Sequence, residues 1–199
     1  RDVPAVTASR LSDAAPADPG DIDAAVDDHA HGDGTFFRVL ADRLEAADPE
    51  VVLTQSLCEV CAVPESMTAG TLERLDADPE LISLEATTVD DVLAAVDRLG
   101  RALRRESDAA RLRQRLETRR ERLRERRPTP PRPPRVVCLE WTDPLRCHGL
   151  WVPEMLEDLG AEAGFGDPGE RGRVVDWEDV LAYDPEVLVV SPCGRPISD

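Results

Sequence analysis

The sequence predicts an α/β fold made of two related lobes joined by one long helix. Two stretches repeat one order of elements: a helix, an Asp-Pro-Glu turn and an apolar strand, which is Val51-Val52-Leu53 in one copy and Val187-Leu188-Val189-Val190 in the other. A near-continuous apolar strand after a helix is typical of a parallel sheet covered on both faces. Two copies therefore indicate two lobes, and ligands of such sheets bind beyond the carboxyl ends of the strands.

The predicted first lobe covers residues 1–88. Residues 1–34 are rich in Asp, Ala, Pro and Gly and are expected to form a surface loop. Apolar residues recur at helical spacing after Phe36, which predicts a helix that ends at Asp48-Pro49 before the first apolar strand. A weaker copy of the Asp-Pro-Glu turn precedes a further predicted strand over 81–84.

A helix over residues 89–127 is predicted to join the lobes. The stretch Thr88-Val89-Asp90-Asp91 begins it with the shape of a capping box, and apolar residues follow at approximately helical period. The pattern is interrupted near Ser107, where a kink is expected. The Pro-rich segment 128–135 predicts a stiff extended connector, and residues 136–199 form the second lobe.

The charge pattern excludes a general nucleic-acid binder. The chain has 41 acidic and 24 basic residues, a formal charge of -17, and every basic residue is Arg. Such an acidic, Lys-free composition favours a solvated surface suited to high salt over an acidic surface that binds a partner. Residues 101–135 reverse the balance, with 14 Arg and 5 acidic residues. Pairing of these arginines with Glu117, Glu121, Glu125 and an acidic lobe surface is favoured, and a polyanion site remains the alternative.

The five cysteines do not form a regular disulfide framework. Cys58 and Cys61 form one Cys-x-x-Cys pair, which is a weak signal for a metal or redox site because a closed zinc site needs four ligands. The other candidate ligands are scattered in the second half of the chain: Cys138, Cys147, His148 and Cys193. Small buried thiols are therefore the favoured interpretation.

Sequence motifs of catalysis and of membrane insertion are missing from the chain. No Gly-x-Ser-x-Gly, phosphate-binding loop or dinucleotide fingerprint occurs, so we expect no enzyme activity. No apolar run approaches the ~18 residues of a membrane span, and the first residues lack the pattern of a secretion signal. The three tryptophans all fall in the second lobe, and Trp141 directly follows a predicted strand, where an indole would offer a flat apolar wall to a planar ligand.

Four segments carry a family resemblance. They are Thr54-Gln55-Ser56-Leu57-Cys58-Glu59-Val60-Cys61-Ala62-Val63, Glu140-Trp141-Thr142-Asp143-Pro144, Trp151-Val152-Pro153-Glu154-Met155 and Val189-Val190-Ser191-Pro192-Cys193-Gly194. The chain resembles, from near Pro4 onward, the cobalamin-binding branch of the iron-siderophore/vitamin B12 solute-binding proteins. The resemblance implies two Rossmann-like lobes joined by a long interlobe helix, the class III solute-binding protein fold, with the ligand between the lobes.

The resemblance also implies a ligand, a partner and site residues. It implies capture of a corrinoid, with cobalamin as a ligand and no covalently bound cofactor, and delivery to an ABC importer permease. Gln55 and Ser56 would contact the ligand from the first lobe, and Trp141 and Trp151 from the second. Glu178 matches the acidic position that pairs with permease Arg on the second lobe, and Glu65 is assigned more loosely on the first. The membrane would be met only through the permease, and no nucleic acid is expected.

Two departures from the family pattern affect these expectations. Elements that the family places before Val3 and after Gly194 are missing, so the chain is expected to be incomplete at both termini. The family often has Gly-His-Trp where this chain has Gly149-Leu150-Trp151, so no role of that histidine can be transferred. An extracytoplasmic location is expected if a signal lies upstream, and a cytoplasmic one otherwise. The alternatives are a siderophore or haem binder on the same fold, or a cytosolic metal or redox protein that uses the Cys58/Cys61 pair.

Overall fold

The computed structural model describes residues 3–9, 36–57, 63–75 and 78–192. The chain divides into two compact units, residues 1–85 and 86–199, close to the predicted end of the first lobe at residue 88. Most of the predicted surface loop over residues 1–34 and the Cys58/Cys61 pair lie outside the described residues.

The first unit contains two separate pairs of strands. Its described elements are β1 (Thr7–Ser9), β2 (Phe37–Val39), α1 (Ala41–Ala47), β3 (Val51–Gln55), α2 (Glu65–Leu72) and β4 (Glu80–Leu84). Strands β1 and β2 pair antiparallel, and β3 and β4 pair parallel from Val51 opposite Glu80 to Gln55 opposite Leu84. The buried apolar side chains among the described residues of this unit are Phe36, Leu44, Val63 and Ile82.

The beginning of this unit differs from the prediction. Residues 37–39 are a strand rather than the first turn of a helix, because they pair with residues 7–9, which were expected to lie in a loop. Helix α1 starts only at Ala41. A helical pattern of apolar residues over so short a stretch is overridden when a distant segment offers backbone hydrogen bonds.

The repeated Asp-Pro-Glu turn has the same backbone geometry in both copies. Asp48 ends α1 in the left-handed region at φ 42°, and Asp184 ends the corresponding helix of the second unit at φ 52°. Each Asp donates its backbone N–H to the carbonyl three residues earlier, at 3.0 Å to Glu45 and 3.2 Å to Leu181. Asp tolerates this conformation better than most residues, and the proline that follows prevents the helix from continuing.

The second unit is built on a four-stranded sheet. Its described elements are α3 (Val89–Ala102), α4 (Glu106–Arg126), β5 (Arg135–Thr142), β6 (Leu145–Cys147), α5 (Trp151–Asp158), β7 (Glu162–Gly164), α6 (Trp177–Tyr183) and β8 (Val187–Val190). Strand β5 pairs parallel with β7 and β8 and antiparallel with β6. The core consists of side chains that are at most 6% exposed: Val137, Leu139, Leu145, Cys147, Val175 and Val180.

The single helix predicted over 89–127 is wrong. Helix α3 ends at Ala102, and α4 begins at Glu106 and packs antiparallel against α3, since Asp97 pairs with Arg113 and Asp90 with Arg120. Arg104 lies in the turn with φ 54°.

Gly100 allows the two helices to approach closely, because a Cβ at this position would overlap the Cβ of Ala109. The interruption that suggested a kink near Ser107 marks this reversal of the chain. Pro128 to Pro134 lie between α4 and β5, outside any helix or strand.

The capping box predicted before residue 89 is confirmed. The Thr88 hydroxyl accepts the Asp91 backbone N–H at 3.1 Å, and the Asp91 carboxylate accepts the Thr88 backbone N–H at 2.9 Å. Hydrogen bonds from Thr88 and Thr87 hold the pKa of the Asp91 carboxyl below its ordinary value. The pair satisfies backbone donors that the first turn of α3 would otherwise leave without partners.

The expectation that the apolar strands are covered on both faces is not met within the described residues. All four residues of β8 are 40–48% exposed, and Leu53 on β3 is 48% exposed. An apolar strand pattern predicts burial on both faces only where other elements pack against the sheet.

None of the described helices combines the length and the apolar character needed to cross a membrane.

Candidate ligand-binding site

A polar and aromatic group of side chains lies where β5 and β8 end. We call it the strand-end cluster: Glu140, Trp141, Arg146, His148 and Ser191. Its members come from the last residues of β5, from β6 and the residue after it, and from the residue after β8. The carboxyl ends of parallel strands are where α/β sheets bind ligands.

Backbone pairing fixes the positions of these residues. The His148 N–H donates to the Cys138 carbonyl at 2.8 Å, and the Ser191 N–H donates to the Leu139 carbonyl at 2.9 Å. The register of β5 against β6 shifts between Leu139 and Trp141, which leaves Glu140 as an extra residue in a bulge. Bulges redirect side chains at strand ends, and this one places the Glu140 carboxylate beside the His148 ring.

His148 lies between a hydroxyl and a carboxylate. Its Nε2 is 2.8 Å from the Ser191 hydroxyl, and its Nδ1 is 3.6 Å from Glu140 Oε2. Burial lowers the pKa of the imidazole, although the Glu140 charge opposes this effect, so the ring is neutral at pH 7. A carboxylate only accepts hydrogen bonds, which favours the tautomer with its proton on Nδ1 and leaves the Nε2 lone pair toward Ser191.

Arg146 completes the polar side of the cluster. Its Nε lies 3.9 Å from Glu140 Oε1, and the side chain is partly exposed, so the guanidinium can also meet an anionic group of a ligand.

Two glycines allow a loop to pack behind the cluster. A Cβ on Gly172 would overlap the Cys147 carbonyl, and a Cβ on Gly149 would overlap the Glu170 carbonyl and the Gly172 nitrogen. The loop pairs with β6 through a bridge between Arg146 and Val174. This close approach packs the end of β6, next to His148, against the backbone of the loop that contains Gly172 and Val174.

The two predicted tryptophans of this unit are half-buried. The Trp141 indole N–H donates to the Asp143 carbonyl at 2.8 Å, which fixes the ring against its own turn. Trp151 is the first residue of α5, directly after Leu150, whose φ of 56° turns the chain into the helix. Trp141 belongs to the strand-end cluster, whereas Trp151 is placed by the helix start. Each leaves part of its indole open to solvent.

The predicted residues of the first unit lie at the carboxyl end of β3. Gln55 is the last residue of that strand and is half-buried. The Ser56 hydroxyl is 3.0 Å from the Ser83 hydroxyl and donates to Glu85 Oε1 at 2.6 Å. These contacts join the ends of β3 and β4. Ser56 therefore has a structural role within its own unit, and its predicted ligand contact remains a prediction.

Glu65 and Glu178, the predicted permease contacts, both lie in the first turn of a helix. Glu65 is the first residue of α2 and is half-buried, and Glu178 is the second residue of α6 and is exposed. Negative side chains in a first turn stabilise the helix through its dipole. Both carboxylates thus have a local role, and docking remains a prediction for each.

Both described cysteines, Cys138 and Cys147, have structural roles. Cys138 and Cys147 are buried and not disulfide-bonded. The Cys147 thiol donates to the Phe165 carbonyl at 3.0 Å and accepts the Arg173 N–H at 3.4 Å, and burial raises the pKa of Cys138. Within the described residues, no three His, Cys, Asp or Glu side chains come together in a group that could hold a metal ion.

The role of His148 and Ser191 in this cluster was missed by the sequence reasoning, although Trp141 was identified. Ser191 follows the apolar residues of β8 as Thr54 follows those of β3, and this repeated polar residue was the available signal. The bulge at Glu140, which places its carboxylate beside the His148 ring, cannot be recognised from the sequence.

Comparison with protein-family models gives an extended match. The family model described as periplasmic binding protein matches residues 3–198. No curated protein sequence is significantly similar to the chain.

Three solved structures illustrate the structural similarity. A possible iron-binding (periplasmic solute-binding) protein from Staphylococcus epidermidis is 18% identical with a TM-score of 0.64. The periplasmic heme-binding protein RhuT from Roseiflexus is 22% identical with a TM-score of 0.60. The periplasmic vitamin B12 binding protein BtuF of Vibrio cholerae is 17% identical with a TM-score of 0.53. In each case the match covers 77% of this chain and 58% of the other, so the chain spans less than two thirds of their length.

Proposed function

Because this chain belongs to the periplasmic binding protein family, we propose that it is a non-catalytic solute-binding protein that captures a corrinoid for an ABC-type importer. The strand-end cluster carries the proposal. It presents the Trp141 indole, the neutral His148 imidazole and the Arg146 guanidinium at the carboxyl ends of parallel strands. An indole face suits the edge of a large planar ring, and the polar groups suit amide or carboxylate substituents on it.

The proposed ligand contacts are Trp141 and Trp151 on one unit and Gln55 and Ser56 on the other. The same family membership supports a proposed location outside the cytoplasm. The protein would then meet a permease, and Glu178 and Glu65 are proposed to pair with its arginines. Replacing the exposed Glu178 with Arg should lower uptake in cells that carry the cognate importer, while Glu121→Arg on α4 should not. Equal uptake by both variants would contradict the docking role of Glu178.

Fluorescence titration with cyanocobalamin, corrected for its absorbance, tests the ligand site. Removal of one stacking wall costs on the order of 1 kcal/mol beyond the buried area, so Trp141→Ala should weaken binding about fivefold or more. The matched control is Trp177→Ala, because Trp177 is 49% exposed on α6 and lies outside the strand-end cluster. Unchanged affinity of the Trp141 variant would contradict the assignment.

Haem is the second candidate, and His148 is the observation that favours it. A neutral imidazole with Nδ1 beside a carboxylate and the Nε2 lone pair held only by a serine hydroxyl is a suitable iron ligand once the hydroxyl is displaced. Titration with hemin separates the two candidates. Tight binding with a shifted Soret band that is lost in His148→Ala would favour haem, whereas cyanocobalamin binding that survives this substitution would favour the corrinoid.

A further inference from the structure

One face of α4 carries four exposed arginines in a row. We call Arg115, Arg119, Arg122 and Arg126 the arginine row. They are spaced by four, three and four residues, which places them on one side of the helix over about 16 Å of its axis. Within the described part of the chain, no ion pair or hydrogen bond is formed by any of these four guanidinium groups.

The arginines on the other side of α4 serve the fold instead. Arg120 pairs with Glu154, Asp158 and Asp90, and Arg124 also pairs with Asp158. Arg113 pairs with Asp97 on α3 and with Glu117 on its own helix. The expected pairing with Glu117 is confirmed, whereas Glu121 and Glu125 form no ion pair within the described residues; at the start of α4, Asp108 pairs with Arg105 and Arg111. Folding does not account for the arginine row.

The helix geometry keeps Glu121 and Glu125 away from the row. At about 100° per residue, they lie roughly 90–130° around the helix from the middle of the row. Asp108 lies on the row's side two turns before Arg115 and is paired with Arg105 and Arg111. A flat surface that touches a convex helix would meet the arginines alone. A groove or a wrapping partner would also meet the glutamates, which would repel an anion.

We propose that the arginine row docks the protein on an anionic lipid surface through guanidinium–phosphate contacts. Arginine binds phosphate groups in two-point geometry, and a flat phosphate layer fits a narrow row. Only five of the 21 residues of α4 are apolar, so the helix would adsorb at the headgroups rather than insert. Repulsion by carboxylates elsewhere is screened beyond roughly 10 Å at 0.1 M salt, whereas contact pairs persist.

This contact departs from the expectation that the membrane is met only through a permease. It is independent of the ligand proposal, because no residue of the strand-end cluster takes part. Duplex nucleic acid fits the row less well, because a groove lined with phosphates would also meet Glu121 and Glu125 beside the row.

Co-sedimentation with vesicles tests the proposal. The full chain should sediment with phosphatidylglycerol/phosphatidylcholine vesicles and not with phosphatidylcholine alone, and salt should weaken the binding. Each arginine contributes about fivefold near an anionic surface, so Arg119→Gln with Arg122→Gln should lower the partition coefficient about 25-fold. The control pair is Arg101→Gln with Arg104→Gln, which gives the same net charge from exposed positions at the turn between α3 and α4.

Two outcomes would overturn the proposal. One is sedimentation with neither type of vesicle. The other is an equal loss in both double variants, which would reflect net charge rather than the row. If the chain bound short polyphosphate or duplex DNA but not vesicles, and the Arg119/Arg122 pair abolished that binding, the occupant would be a soluble polyanion and the lipid assignment would be wrong. Circular dichroism verifies that each variant keeps its helices.

Discussion

At the scale of single residues, His148 is the side chain whose charge state most affects the proposed site. Burial lowers the pKa of its imidazole, and the Glu140 carboxylate only partly opposes that effect. The neutral ring keeps its contact with Ser191, whereas a proton would place a charge in a half-buried position. The same residue therefore links the stability of the second unit to pH.

Stability should fall as the pH is lowered through the range of this histidine. Because the folded pKa is below the ordinary value of 6.5, the unfolded chain binds the proton more readily, so stability is complete above 6.5 and decreases toward the folded pKa. Urea unfolding at about pH 8 and about pH 5.5 measures the loss. His148→Gln should show a smaller loss than the wild type. An equal loss would mean that groups other than His148 cause it.

At the scale of elements, the antiparallel packing of α3 and α4 depends on one glycine. Helix propensity alone predicts that Gly100→Ala stabilises α3 by up to about 1 kcal/mol. The contact with Ala109 predicts the opposite sign, a destabilisation of about 1–3 kcal/mol, because the added methyl has no space. Urea unfolding decides between the two, and Ala109→Gly in the same chain should restore part of the loss. A more stable Gly100→Ala variant would contradict the packing.

The ion pairs that join α4 to α5 centre on Asp158. Burial raises the pKa of its carboxyl, but hydrogen bonds from Arg120 and Arg124 together with their charges outweigh it, and the pKa is lowered. The same contacts raise the pKa of Arg120. Asp158 is 13% exposed and Arg120 15%, so Arg120 is poorly solvated when Asp158 is neutralised.

Asp158→Asn should lower the free energy of unfolding at neutral pH by about 1–2 kcal/mol. The difference from the wild type should vanish in acid, because the contribution is present above the ordinary carboxyl pKa of 3.8 and is lost as the pH falls through the lowered folded value. Asp97→Asn is the control: its pair with Arg113 is more exposed, so its effect should be smaller. Equal effects of the two substitutions on urea unfolding would argue against a special role of Asp158.

The elements that could be predicted from the sequence are those specified locally. The Asp-Pro-Glu turns, the apolar strands after them and the Thr88/Asp91 capping box all follow from short patterns. The strand pair of residues 7–9 and 37–39, and the reversal between α3 and α4, depend on contacts between distant segments, which propensity does not encode. Trp141 was identified because it follows the apolar residues of a predicted strand, although it lies within β5 itself. Its neighbours in the cluster required the bulge at Glu140, which arises only when β5 and β6 pair.

At the scale of the whole molecule, the charge of -17 implies strong dependence on salt. Self-repulsion among carboxylates destabilises the folded chain at low ionic strength, and salt shortens the range of that repulsion from about 10 Å at 0.1 M to about 3 Å at 1 M. We therefore expect Tm to rise when KCl is increased over this range. Differential scanning calorimetry measures the shift, and a constant or falling Tm would contradict the interpretation of the acidic surface.

The proposed function depends on the binding of a corrinoid by this chain. Equilibrium dialysis of the protein against cyanocobalamin, with hemin and a ferric siderophore as competitors, measures this binding. We expect saturable binding of one cyanocobalamin per chain that neither competitor displaces at equal concentration. Displacement by hemin would identify haem as the ligand of this site. The absence of saturable cyanocobalamin binding at millimolar concentration would contradict the proposal that the chain binds a corrinoid.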